Sequence, residues 1–221
     1  MGSGLDRELR AAQRDVVRRG YDVVSHAYRT DDGESSPASS ETTAAYASWI
    51  DELVVRLDVR ARVLDIGCGN GLPADRLLVE AGMDVIGVDI SEVQIERARA
   101  LVPDAMFVCA DIVDFTLEPS SYDAIVAFYA LIHLPLDDQR ELLPRAFDAL
   151  RPGGLLLGIV GHDRWTGVED YFGTPMFWDH ADAATHLALL RDLVFDVLWD
   201  RFVPEGDVGH TLVLAQRPSQ A

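Results

Sequence analysis

Apolar and polar positions along the chain switch between two periods, and the switches mark its elements. Leu5 to Arg19 places apolar residues at helical spacing among Arg, Asp and Glu, which predicts an amphipathic helix. Tyr21 and Tyr28 follow, and then Thr30 to Ser40, rich in Ser, Asp and Gly, breaks the pattern as a loop or lid edge. Thr42 to Leu57 predicts a second helix carrying Tyr46 and Trp49. From Val63 an apolar run passes through glycines at alternate positions, Gly67, Gly69 and Gly71, and becomes an amphipathic pattern. That sequence of patterns is a strand, a tight turn and the start of a helix.

The alternation then repeats. Met83 to Val88 is a second strand ending in Asp89, and Ser91 caps a helix with Gln94 on its first turn. Ala105 to Cys109 is a third strand running into Asp111 and Ile112, and Tyr122 to Phe128 is a fourth. Helix Leu136 to Leu150 closes on Arg151-Pro152-Gly153-Gly154 and leads into a fifth strand, Leu155 to Val160. Val194 to Val203 and Thr211 to Ala215 flank a turn at Pro204 to Gly209 and read as a hairpin. Strands alternating with helices predict an α/β fold on a mostly parallel, doubly wound sheet.

Composition narrows the picture. With 221 residues, 48% of them hydrophobic, the chain is the size of one globular unit. Residues 1–58 are expected to form N-terminal helices or a lid, and 59–221 a ligand-binding domain. No run approaches the roughly 18 apolar residues that would span a bilayer, and the first 20 residues, rich in charge, do not read as a secretory leader. A net charge of −18 argues against nucleic acid as a partner, because phosphate contacts need clustered Lys and Arg. Two cysteines without zinc-type spacing fit reduced thiols in a cytoplasmic protein, monomeric or homodimeric.

The glycine turn carries the first chemistry. A dinucleotide fingerprint starting at Gly67 would need glycine where Leu72 stands. Asp65, two residues before the first glycine, would repel a pyrophosphate but could hold an ammonium group, so the pattern suits an amino-acid portion. Asp89, at a strand end, can accept from both ribose hydroxyls of an adenosine-containing ligand. Asp111 can accept from an adenine amino group while Ile112 packs on the ring.

Val-Leu-Asp-Ile-Gly-Cys-Gly-Asn-Gly at 63–71, the three strand-end acids and Arg151-Pro152-Gly153-Gly154 stand in the order and spacing of class I S-adenosylmethionine (SAM)-dependent methyltransferases, which the chain resembles. The resemblance covers about Arg62 to Val160. It implies a Rossmann-like seven-stranded sheet of order 3-2-1-4-5-7-6, strand seven antiparallel, with an N-terminal helical cap. It also implies SAM as cofactor, S-adenosylhomocysteine as product, and a cofactor site of Tyr21, Tyr28, Asp65, Gly67, Cys68, Gly69, Asn70, Gly71, Asp89, Ile90, Gln94, Asp111, Ile112, Phe128 and Tyr129. The stretches His133 to Leu136 and Val203 to Asp207 resemble those of bacterial methyltransferases of specialised metabolism.

Ligands in such sheets bind at the carboxyl ends of the parallel strands. His133 and His162 follow strands four and five, and the family's strand order brings His210, with Glu205 and Asp207, to the same edge. Histidine is the residue suited to taking an acceptor's proton. His162 is the first candidate, His133 the second and His210 a partner. No metal is expected. The aperiodic segment Gly161 to Asp179 holds Trp165, Tyr171, Phe172, Phe177 and Trp178 and reads as a wall or lid for a small-molecule substrate. His180 and Asp182 are expected to open the helix that follows, with His186 on its surface. Methylation of an oxygen is slightly preferred over nitrogen or carbon. The alternative is a SAM-binding protein of this fold that promotes a rearrangement or serves as a partner subunit.

Overall fold

The structure, a computed structural model, describes residues 4–31 and 43–219. A seven-stranded sheet forms its centre. Strands β1 (Arg62–Ile66), β2 (Asp84–Asp89), β3 (Met106–Cys109), β4 (Tyr122–Ala127) and β5 (Leu150–Gly161) run parallel, and β8 (Asp196–Glu205) and β9 (Val208–Gln216) complete it. Their order is β3-β2-β1-β4-β5-β9-β8, with β9 antiparallel to both neighbours. This is the expected order 3-2-1-4-5-7-6, because β6 (Trp165–Tyr171) and β7 (Thr174–His180) form a separate two-stranded sheet.

Side chains alternate across each strand, so the sheet buries both faces. On one face Leu64, Ile125, Leu156 and Val213 pack beneath α5 (Leu136–Ala149) and α6 (Ala183–Asp192) through Leu142, Leu143, Leu187 and Leu190. On the other, Val63, Val126, Leu157 and Leu214 pack beneath α2 (Thr43–Val54) and α3 (Ala74–Glu80) through Ile50, Leu53 and Leu78. Helix α4 (Glu92–Leu101) buries Ile95 and Ala98 against Leu72 and Phe107. Ser91 caps α4, its hydroxyl accepting from Gln94 N at 3.2 Å.

Helix α1 runs from Gly4 to Tyr28, well past Arg19. Gly20 lies inside it, and its bare backbone lets β7 come close: a Cβ there would stand 2.7 Å from Met176 Cε and 3.3 Å from the Pro175 carbonyl oxygen. Arg14, Val17, Tyr21, Val24 and Tyr28 follow one another at alternating steps of three and four, which puts all five on one face. The far end of α1 is held by buried Arg97 of α4, which donates to Ser25 O at 2.6 Å, Ser25 Oγ at 2.7 Å and Arg29 O at 2.7 Å. Ser25 O also accepts from Arg29 N at 3.3 Å, so the guanidinium reinforces the last turn and supplies a donor to the carbonyl just beyond it. Arg97→Ala is expected to cost about 3 kcal/mol, several charge-assisted bonds being lost at once. It should lower the thermal midpoint and speed amide exchange over Val24–Tyr28. The polar break expected at Thr30 to Ser40 lies mostly outside the described residues.

The segment after β5 is a regular hairpin and not an aperiodic lid, with Trp165 opposite His180 and Val168 opposite Phe177. The mixed Gly, aromatic and acidic composition hid a period of two, because neither face of the hairpin is uniformly apolar. His180 ends β7, and Asp182 caps α6 by accepting from Thr185 N at 2.8 Å. His186 is buried instead of superficial, its Nε2 2.9 Å from Gln139 Oε1. Among the described residues no helix is long and apolar enough to cross a membrane.

Candidate cofactor and acceptor site

At the carboxyl ends of β1, β2 and β4 lies a cavity of about 950 Å³, counting its open mouth. It is lined from the sheet side by Asp65, Gly67, Cys68, Gly69, Asn70, Asp89, Ile90, Gln94, Asp111, Ile112, Phe128 and Tyr129. The striped face of α1 closes it through Arg14, Val17, Tyr21 and Tyr28. Of the fifteen cofactor residues expected, all but Gly71 line this space. Gly71 turns away, its α-carbon facing Val102 and Phe107 of the α4 layer.

Why the turn needs glycine is visible at two positions. Gly67 has φ of +73°, and a Cβ on it would stand 2.4 Å from Ala130 Cβ. Gly69 has φ of +55°, and a Cβ there would meet nothing within 4 Å, so its missing side chain leaves backbone bare to the cavity. Gly69 N donates to Asp89 Oδ2 at 2.9 Å and Ser91 N to Oδ1 at 2.8 Å, which fixes that carboxylate at the end of β2. Burial nevertheless pushes Asp89 up to about 6, against the pull of those two donors.

Two buried atoms in the wall have no hydrogen-bond partner among the described residues, the acceptor Asp65 Oδ1 and the donor Asn70 Nδ2. Asp65 and Asn70 both line the cavity, and a carboxyl and an amide there suit the ammonium and carboxylate of an amino-acid group. The residues present therefore fit the methionine end of SAM, with Asp89 suited to a ribose and Ile112 to a base.

Sequence reasoning missed the cations of the lid. Arg14 Nε donates to Asp111 Oδ2 at 2.6 Å, and its guanidinium also pairs with buried Asp138, so Asp111 is already engaged in closing α1 over the cavity. Asp111 Oδ1 accepts from Val113 N at 3.0 Å. Arg29 donates to Leu72 O at 2.6 Å and lies over the Tyr28 and Tyr46 rings. The available signal was positional, an arginine at 14 on the stripe otherwise formed by Val17, Tyr21, Val24 and Tyr28.

The three candidate histidines part company. His133 lines the cavity; its Nδ1 lies 2.7 Å from the Phe177 carbonyl, which can only accept, so Nδ1 carries the proton and Nε2 accepts from the Tyr21 hydroxyl at 2.9 Å. Burial lowers it to about 4, so the ring is neutral at physiological pH. His210 Nδ1 lies 2.8 Å from Glu205 Oε1, and the ring stands 5.5 Å, edge to face, from Tyr129 in the cavity wall and 5.8 Å from His180. Tyr129 itself has φ of +59°, a left-handed backbone that favours glycine.

Neither His210 nor His162 lines the cavity itself. The register sets Gly161 opposite His210, yet the His162 side chain goes to Thr211 Oγ1 at 3.0 Å and the Phe202 ring. Adjacent positions on a strand point to opposite faces, so proximity along the strand edge separated these two rings.

None of the five aromatics expected to hold substrate lines the cavity. Phe177 is buried beneath α1 with Val17 and Val24, and Trp165 and Phe172 stand on the exposed side of the hairpin. Tyr171 and Trp178 form an outer layer, Tyr171 against Tyr21 and Tyr28 and Trp178 against His133. Among the described residues no group of three His, Cys, Asp or Glu converges as metal ligands would.

Comparison with known proteins agrees with this geometry. Residues 63–154 match the family model described as a methyltransferase domain. The 27-O-demethylrifamycin SV methyltransferase of Amycolatopsis mediterranei is 38% identical over 133 residues, which is 57% of this chain and 47% of that protein. The chain spans about half the length of the curated relatives it matches. Among solved structures, the [4+2]-cyclase SpnF superposes with a TM-score of 0.70 at 20% identity, over 92% of this chain and 95% of that one. The 1,6-didemethyltoxoflavin-N1-methyltransferase of Burkholderia thailandensis, solved with 1,6-didemethyltoxoflavin and S-adenosylhomocysteine bound, gives 0.66 at 19% identity, over 99% and 92%. The fold, the glycine turn and the strand-end carboxylates thus agree with the family match: residues 63–154 carry a methyltransferase domain.

Proposed function

We propose that this protein transfers a methyl group from SAM to a small-molecule acceptor, with oxygen the preferred atom. The observation that carries the reading is the Asp65 carboxyl and the Asn70 amide lining one cavity with the fixed Asp89, closed from the α1 side by Tyr21 and Tyr28. SAM supplies a methyl group already activated for displacement. The chain's own tasks are to align the acceptor, exclude water and, for a hydroxyl, remove a proton.

Helix α1 supplies the exclusion of water, held down by Arg14 on Asp111 and Asp138 and by Arg97 at its end. Neutral His133 orients the Tyr21 hydroxyl toward the cavity and is not the base, since its Nε2 lone pair is already engaged. His210 is the proposed base. Glu205 holds its Nδ1 proton and leaves Nε2 to take a proton from an acceptor lying against Tyr129. The relative that acts on a demethylrifamycin oxygen supports an oxygen acceptor without naming one for this chain.

His210→Ala is expected to reduce kcat by roughly 10²- to 10⁴-fold with the affinity for S-adenosylhomocysteine unchanged. His162→Ala should leave kcat within a few-fold of wild type. The reading itself is tested by incubating the protein with SAM and a panel of hydroxyl, carboxyl and amine acceptors while following S-adenosylhomocysteine release. Methylated product in stoichiometry with that release supports it. The fold is shared with a cyclase, so a product formed with no consumption of SAM would replace methyl transfer by a rearrangement.

A further inference from the structure

Asp75 lies on the first turn of α3, fully buried, and none of the site chemistry described so far uses it. Neither of its carboxyl oxygens has a hydrogen-bond donor among the described residues, and Asp65 Oδ1 has none either. The two carboxyls interact directly, Asp65 on the cavity side and Asp75 behind it. Two ionised carboxylates cannot satisfy one another. A proton between them can, turning two orphaned groups into an O–H···O bond.

The other groups around the pair make ionisation harder, not easier. Asp89 adds negative charge from the end of β2, and Cys68 of the glycine turn is a buried thiol that burial, reinforced by these acids, pushes well above its ordinary range. The nearby cations on α1 are engaged elsewhere, Arg29 on the Leu72 carbonyl and Arg14 on Asp111 and Asp138.

We propose that Asp75 is a buried, permanently protonated acid that donates its O–H to Asp65, and that Asp65 gives up its own proton only when the cofactor's ammonium group arrives. Cofactor uptake is then an exchange, with one ammonium bound and one proton released to solvent. Asp75 is a positioning residue that never touches the ligand; it aims Asp65 and lets a carboxylate exist there without a second negative charge behind it. Burial accordingly raises Asp65 to about 8 and pushes Asp75 well above the ordinary carboxylate range. For the free protein the sign follows: a carboxyl raised in the folded state contributes stability that is lost as pH rises toward about 8. Ligand affinity moves the other way, rising with pH by at most about tenfold per unit below that point. Asp89, raised to about 6, adds to the slope only at lower pH.

This inference rests on SAM being the ligand, and its test separates the two. Infrared difference spectra should show protonated-carboxyl carbonyl bands in the free wild-type protein, one of them lost in Asp75→Asn and another lost when S-adenosylhomocysteine binds. Titration near pH 7 in buffers of different ionisation enthalpy should count up to one proton released per ligand. A side-chain amide mimics a protonated acid, so Asp75→Asn should keep the wild-type affinity within about twofold, whereas Asp75→Leu, lacking a donor, should weaken it about tenfold. No protonated-carboxyl band in the free protein, no proton release, or a loss in Asp75→Asn as large as in Asp75→Leu would overturn the proposal. Failure of the wild type to bind S-adenosylhomocysteine would instead strike the cofactor reading, while the spectra of the free protein still decide the state of the pair.

Discussion

Replacing Asp89 by alanine should weaken S-adenosylhomocysteine binding about 100-fold while leaving the protein folded. The carboxylate sits at the end of β2, held by Gly69 N and Ser91 N, and the cavity leaves it lone pairs for two ribose hydroxyls. Hydrogen bonds to a charged group contribute about 1.5–3 kcal/mol each, and two at the low end amount to about 3 kcal/mol, or about 100-fold. Stability should change far less, because the freed N–H groups border an open cavity where water can take the place of the carboxylate. Only the ionised form accepts from both hydroxyls. With the group raised to about 6, wild-type affinity should fall more steeply below that value than the affinity of the alanine variant, which keeps only the slope set by Asp65. Calorimetric titration of both proteins across this range checks each part.

Gly67→Ala should be the most damaging small substitution in the site. Its φ of +73° costs an alanine about 1–2 kcal/mol, and the added methyl 2.4 Å from Ala130 Cβ costs about 1–3 kcal/mol more through displacement of the chain after β4. A total of about 3 kcal/mol should appear in denaturant unfolding. The moved turn carries Asp65 and Asn70 with it, so ligand binding should be lost as well. Gly69→Ala is the informative contrast. With φ of +55° and nothing near its Cβ, it should unfold within about 1–2 kcal/mol of wild type yet weaken binding, because its methyl occupies space the ligand needs. Equal damage at both positions would mean that the turn serves folding alone.

The sheet was legible because the central parallel strands are buried on both sides and the strands are bounded by recognisable signals, a glycine turn, an acid or a Pro-Gly pair. Its order came from family resemblance, and the observed pairing β5-β9-β8 agrees with it. Two features were hidden for one reason, which is that partners distant in sequence overrode local signals. The helix read from Leu5 to Arg19 runs on through Gly20, which packs against Met176, and the hairpin 165–180 has no clean period because Met176 and Phe177, adjacent in sequence, are both buried under α1. The residues named from the turn and the strand ends line the cavity, apart from Gly71, since backbone geometry alone fixes where they point. The histidines and aromatics did not, because reaching the right edge of a sheet leaves open which face a side chain takes. His162 follows Gly161, the residue opposite His210, and the two histidines serve different neighbours. Asp75 carried no signal at all, since an acid on the first turn of a helix is an ordinary surface choice until the packing buries it.

Arg14, Asp111 and Asp138 tie the lid to the cofactor cavity, so every functional statement above depends on what that cavity holds. Isothermal titration of the wild-type protein with S-adenosylhomocysteine, with NAD as the control dinucleotide, tests this most directly. The account predicts one site per chain of micromolar or tighter affinity for S-adenosylhomocysteine and no heat from NAD. Binding of NAD, or no binding of S-adenosylhomocysteine under conditions where the protein is folded, would contradict it.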